Sequence, residues 1–109
     1  MVVRRALAAA MLLAAACGAG PRTEAELKAD LDAFVATRRA CAADTDCVLA
    51  STSCPLGCGV AVSRAEQRAV EEKARELVAE YESRGRSCAY ECVPVEARCQ
   101  SGLCAAVSK

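Results

Sequence analysis

The chain has 109 residues, no formal net charge and nine cysteines. It contains no histidine, which excludes Ser-His and Cys-His catalytic pairs and zinc sites that use histidine. With three aromatic residues and no basic stripe, the composition gives no support to nucleic-acid binding. Large apolar side chains are also scarce, so a body of this size needs covalent cross-links, and the composition therefore predicts disulfides.

Residues 1–16 are predicted to be an export signal. Arg4 and Arg5 provide the positive start, and an apolar run of alanine, leucine and methionine follows over residues 6–16. The run is too short to cross a bilayer, which takes about 20 apolar residues, and it has the length of a signal-peptide core. We therefore expect the protein to be exported.

The end of this segment, Leu-Ala-Ala-Ala-Cys-Gly at residues 13–18, resembles the lipobox of bacterial lipoproteins. The resemblance implies that Cys17 is lipidated and becomes the new amino terminus, anchoring the chain to the outer membrane of a bacterial cell envelope through a tether over residues 17–22. The alternative is ordinary cleavage after Ala16 or Ala19, which would give a periplasmic or secreted soluble protein. Lipidation of Cys17 leaves eight cysteines, an even number that can all pair.

A single disulfide-rich α+β domain is predicted over residues 23–109, beginning with a helix at about 24–39. Thr23 and Glu26 have the spacing of a capping box. Apolar residues at helical spacing form one face of this helix. They are Leu27, Leu31, Phe34 and Val35. We interpret this face as core and the charged face as solvated.

The next segment contains two aspartates, Asp44 and Asp46, between Cys41 and Cys47. A calcium loop would need further oxygen ligands at fixed offsets, and apolar residues occupy those positions. The spacing favours a turn whose aspartates accept hydrogen bonds from nearby amides. A short strand is predicted after it, at 47–51.

Residues 51–59 are predicted to be a loop because they contain one proline and two glycines. Pro55, Leu56 and Gly57 lie between Cys54 and Cys58, so one hypothesis is a protease inhibitor that presents Leu56 from a disulfide-pinned loop. A plain cross-linked turn is the other interpretation. The twin C-x3-C spacing is similar to that of small mitochondrial intermembrane chaperones, but the proline and glycine here break the helix on which those proteins place the motif.

A second helix is predicted at about 64–84. Ser63 and Glu66 have the spacing of another capping box, and Gly85 provides the stop. Its apolar stripe has helical periodicity. The stripe consists of Val70, Ala74, Leu77, Val78 and Tyr81. A β-hairpin is then predicted from strands at 95–100 and 103–107, with Ser101 and Gly102 as the turn.

The eight cysteines that follow Cys17 are disulfide candidates, and they allow 105 connectivities. They are Cys41, Cys47, Cys54, Cys58, Cys88, Cys92, Cys99 and Cys104. The favoured arrangement joins Cys54 and Cys58 to Cys88 and Cys92, and joins the first two cysteines to the hairpin. A direct bond across the hairpin remains open. A thiol-redox or soft-metal site at residues 54, 58, 88 and 92 is a further alternative.

The whole cysteine pattern from residue 41 to residue 104 resembles that of cysteine-rich bacterial exported proteins, a group that implies no particular activity. Its opening Cys-x2-Asp-x-Asp-Cys is also similar to part of a whey-acidic-protein module, but this chain lacks the adjacent Cys-Cys pair. We therefore expect a non-catalytic envelope lipoprotein that serves as a binding or structural module. We expect no cofactor, metal or nucleic acid to bind. The lipid anchor would attach the protein to the membrane. The module could also bind a protein partner, which the sequence does not identify.

Overall fold

A computed structural model describes residues 20–109, so the predicted signal segment, Cys17 and most of the tether lie outside the described residues. Two α-helices and two antiparallel strand pairs make up the fold, which confirms the predicted α+β class. The elements are α1 (Glu24–Ala36), β1 (Cys47–Ala50), β2 (Val60–Ser63), α2 (Gln67–Glu82), β3 (Val95–Gln100) and β4 (Leu103–Ser108). From residue 20 onward, no helix is long and apolar enough to cross a membrane.

Helix α1 begins with the predicted capping box. The Glu26 amide donates to Thr23 Oγ1 at 3.1 Å, and the Thr23 amide donates to a Glu26 carboxylate oxygen at 2.8 Å. The helix ends at Ala36, three residues earlier than predicted, and Arg38 then folds back over its last turn. Arg38 Nη1 donates to the Phe34 carbonyl at 2.7 Å, and its guanidinium lies 3.7 Å from the centre of the Phe34 ring. The arginine thus satisfies one of the carbonyls that a helix end leaves unpaired.

The predicted capping box at the start of α2 is wrong. Ser63 is the last residue of β2 and pairs with Cys47, so its hydroxyl points away from the helix and donates to the Ala40 carbonyl at 2.7 Å. A turn of 3₁₀-helix over Arg64–Glu66 leads into α2, which begins at Gln67. The predicted apolar stripe is nevertheless the buried face of α2, with Val78 only partly buried.

The sequence predicted β1 but not its partner, β2. The two strands pair from Cys47 opposite Ser63 to Ala50 opposite Val60. Strands β3 and β4 form the predicted hairpin, in which Cys99 lies opposite Cys104. Ser101 and Gly102 both have positive φ angles, of 52° and 81°, as a two-residue hairpin turn of the primed type requires.

Strand alternation gives the β1–β2 pair two buried faces. Ala50 and Val62 pack into the larger core with the helices, whereas Cys47 and Ala61 pack on the other side with Cys104 of the hairpin. The β1–β2 pair is therefore the middle of three layers. The larger core consists of Leu27, Leu31, Val35, Ala50, Leu56, Val62, Val70, Ala74, Leu77 and Tyr81. The second core is built mainly from cysteine and alanine, so the hairpin layer is held mostly by covalent bonds.

An arginine just before α1 joins the two helices. The Arg22 guanidinium donates to both carboxylate oxygens of Glu80 on α2, at 2.6 and 2.9 Å, and to Asp30 on α1 at 2.8 Å. These hydrogen bonds lower the pKa of both carboxyl groups. The start of the described chain is thus fixed against the folded body, close to the beginning of α1 and the end of α2.

Candidate functional site

All eight cysteines between residues 41 and 104 are paired. The bonds are Cys41–Cys99, Cys47–Cys104, Cys54–Cys88 and Cys58–Cys92. The favoured pairing of cysteine groups agrees with this arrangement, and the alternative bond across the hairpin between Cys99 and Cys104 is not formed. Two bonds attach the hairpin to residues 41–47, and the other two attach residues 88–92 to the loop after β1.

The two hairpin disulfides lie beside each other in the second core. The sulfur atoms of Cys41, Cys47 and Cys104 are all within 4.8 Å of one another, and Cys104 is completely buried. The soft-metal hypothesis concerned the other four cysteines, at residues 54, 58, 88 and 92. Those cysteines are disulfide-bonded, and a disulfide sulfur carries no thiolate charge with which to bind a soft metal.

The aspartate segment forms the predicted turn. One Asp46 oxygen accepts hydrogen bonds from the amides of Ala42 and Ala43, at 2.8 and 2.9 Å. Asp44 contacts residues that are distant in the sequence: it accepts a hydrogen bond from the Cys99 amide at 2.8 Å and forms an ion pair with Arg98. Both carboxylates are therefore bound by donors of the protein itself, and Asp44 attaches this turn to the edge of the hairpin.

We predict that Asp46→Asn flattens the dependence of stability on acid pH. The two amides lower the folded-state pKa of Asp46, so its contribution is fully present above the unfolded pKa, about 3.9, and is lost as the pH falls through the lower folded value. The measurement is the urea midpoint from pH 7 down to pH 2. Asp32→Asn is the control, because Asp32 is exposed and forms a surface ion pair with Lys28. Parallel profiles for wild type and Asp46→Asn would contradict the prediction.

The loop proposed for protease inhibition turns its leucine inward. Leu56 is only 3% exposed and belongs to the larger core, so it does not project into solvent as the inhibitor hypothesis requires, and the loop agrees with the other interpretation, a plain cross-linked turn. The loop folds around Thr52, whose hydroxyl donates to the Gly57 carbonyl at 2.9 Å and accepts from the Gly59 amide at 2.8 Å. Pro55 is partly buried, and Gly57 uses its amide to bind Tyr90.

The segment that the Cys54–Cys88 and Cys58–Cys92 disulfides join to this loop is exposed. Residues 86–94, here named the strap, lead from the end of α2 to β3 without a turn or bend. Cys88 and Cys92 bond to the loop after β1, and the Tyr90 hydroxyl accepts from the Gly57 amide at 2.7 Å. Because side chains alternate along an extended chain, Ala89, Glu91 and Val93 face the opposite way, toward solvent.

The strap is exposed to solvent over most of its length. Residues 87–94 are all exposed, with Val93 at 72% and Tyr90 at 48%. Within the described range 20–109, no backbone hydrogen bond involves residues 88–93. Sequence reasoning missed this surface because the C-x3-C spacing indicates only a cross-link. The available indication was the lack of helical or strand periodicity between Gly85 and Pro94.

Comparisons of the chain with protein-family models, with curated proteins and with solved structures found no match.

Proposed function

We propose that this protein is an exported, lipid-anchored and non-catalytic binding module of the bacterial cell envelope. The observation that carries the proposal is the set of four disulfides within residues 41–104. Disulfides persist in oxidising compartments, and small exported domains use them where the apolar core is limited. The predicted signal segment and the lipobox-like residues before Cys17 agree with that setting.

The carboxyl groups that have a resolved pKa shift form structural contacts. Every carboxyl group with a resolved shift in residues 20–109 has a lowered pKa, because each accepts hydrogen bonds from the protein. These groups are Glu26, Asp30, Asp46, Glu71 and Glu80. Each of them is accounted for by a cap, a turn or a contact between elements.

The proposed anchor would hold the domain close to the bilayer. Arg22 is fixed to Asp30 and Glu80, so only the residues from Cys17 to Arg22 span the distance to the membrane. At up to ~3.5 Å per residue, five residues reach about 18 Å. A partner of this module would therefore meet it near the membrane surface.

We predict that Cys17→Ala releases the protein from the membrane fraction. The intact mass of the wild-type product should include the acyl chains on Cys17, and the variant should be recovered as a soluble protein with the same four disulfides. Gly20→Ala is the control, since a methyl group there meets no atom within 4 Å. A wild-type product that begins at Gly20 and carries no lipid would show that anchoring is wrong.

A further inference from the structure

We infer that the strap, residues 86–94, is the docking surface of this module and that its partner is the peptide-binding cleft of an endopeptidase with a small, apolar specificity pocket. The strap would occupy that cleft as an inhibitory, substrate-like strand. The inference rests on the proposed function of a non-catalytic binding module, and it names the surface and the partner class for it. It assigns the inhibitory role to the strap instead of the Leu56 loop, to which the strap is joined by two disulfides.

The backbone of the strap is the first reason. Residues 88–93 are exposed, run without a bend and make no backbone hydrogen bond within the described residues 20–109. A row of free N–H and C=O groups on an extended segment is a template for pairing with another chain. Pro94 has no N–H, so pairing through donors ends at Val93.

The surroundings of the strap determine what kind of chain can pair with it. The strap belongs to neither strand pair of the fold, so one added strand would form only an isolated two-stranded ladder, which is marginally stable in water. This argues against a second copy of the strap and against a loose peptide. An endopeptidase binds its substrates along a cleft whose walls include strands of its own sheet. Such a partner would provide the additional paired strands that an isolated two-stranded ladder lacks.

Rigidity is the second reason. Cys88 and Cys92 are bonded to Cys54 and Cys58, and the Tyr90 hydroxyl binds the Gly57 amide between them. Beneath this contact, Leu56 fixes the supporting loop to the larger core. The extended conformation is therefore held before binding, and a preorganised segment loses less conformational entropy when it binds.

The outward side chains define the specificity. Ala89 and Val93 are small and aliphatic, and Glu91 lies between them. Tyr90, the one aromatic residue, leans toward Gly57. Tyr90 is 48% exposed, but its hydroxyl is bound to the Gly57 amide, so its ring is not free to enter a partner's pocket. The side chains that remain free along residues 88–93 include no basic and no aromatic one. They fit the small, apolar pocket of an elastase-like enzyme better than the pockets of trypsin-like or chymotrypsin-like enzymes.

The test is inhibition of purified elastase, trypsin and chymotrypsin by the oxidised protein. We expect elastase to be inhibited at about 1 μM or below, and the other two enzymes to be at least about 10-fold less sensitive. Ala89→Arg and Val93→Arg identify the residue in the specificity pocket, because the variant that places arginine there should gain inhibition of trypsin. Leu103→Arg is the matched control, an exposed apolar position on the hairpin that should leave inhibition unchanged.

Three results would overturn the inference. The first is that correctly oxidised protein at about 10 μM does not inhibit elastase. The second is that all three arginine variants inhibit elastase equally and none gains inhibition of trypsin, which would show that the strap does not enter the cleft. The third is a dimer in sedimentation that Val93→Arg dissociates, which would assign the strap to a second copy. If Cys17 proves to be lipidated while elastase is unaffected, the inference fails and the proposed envelope function stands. If Cys17 is not lipidated and elastase is inhibited, the inference stands and the proposed lipid anchor is wrong.

Discussion

Complete reduction of the four disulfides is expected to unfold the protein at 25 °C. Each bond is worth roughly 2–4 kcal/mol, and the net stability of a domain is only about 5–15 kcal/mol. The larger core has ten buried residues, and the second core consists mainly of cysteine and alanine, so burial offers little compensation. The measurement is circular dichroism and thermal melting with and without a phosphine reductant. An unchanged melting temperature in fully reduced protein would contradict this prediction.

Two double variants provide the matched control for the reduction experiment. Cys47→Ala with Cys104→Ala removes the buried bond that attaches the hairpin to β1. Cys58→Ala with Cys92→Ala removes an exposed bond between the strap and a loop. A second disulfide lies near each bond, so the entropic losses are similar, but the first pair also leaves a void in the second core. We expect the larger fall in melting temperature for Cys47 and Cys104.

Leu56→Ala is expected to destabilise the protein by about 2–5 kcal/mol, the usual cost of truncating a buried leucine. Leu56 is the residue through which the loop under the strap contacts the larger core. The matched control is Leu103→Ala, the same substitution at a position that is 45% exposed, which should change stability by no more than about 0.5 kcal/mol. Both are measured as urea unfolding midpoints. Equal midpoints for the two variants would show that Leu56 is not a core residue.

The parts of the fold that follow from local patterns were predictable. Four apolar positions at helical spacing predicted the inner face of α1, on which Phe34 is only partly buried, and a serine-glycine pair between two predicted strands indicated the hairpin. The group pairing of the cysteines was also accessible, because one long helix separates the early cysteines from the late ones. The choice of partner within each pair depends on strand register, as with Cys47 and Cys104, and no local pattern encodes that register.

One error arose where a residue had two possible partners. Ser63 and Glu66 fit a capping box, but Ser63 instead ends β2, and strand pairing took precedence over the cap. The inhibitor hypothesis required Leu56 to project from its loop, but the Thr52 hydroxyl bridges Gly57 and Gly59, and the leucine packs into the larger core. The strap was missed because the C-x3-C spacing indicates a cross-link but not which of the two linked segments is the more exposed.

The pattern of cross-links has a consequence for a chain that has been nicked. Every disulfide joins a cysteine in residues 41–58 to one in residues 88–104, so a single cut anywhere from 59 to 87 leaves four bonds between the two fragments. A cut between Cys88 and Cys92, inside the strap, still leaves three. Hydrolysis of one peptide bond in this region would thus yield a two-chain molecule that stays in one piece.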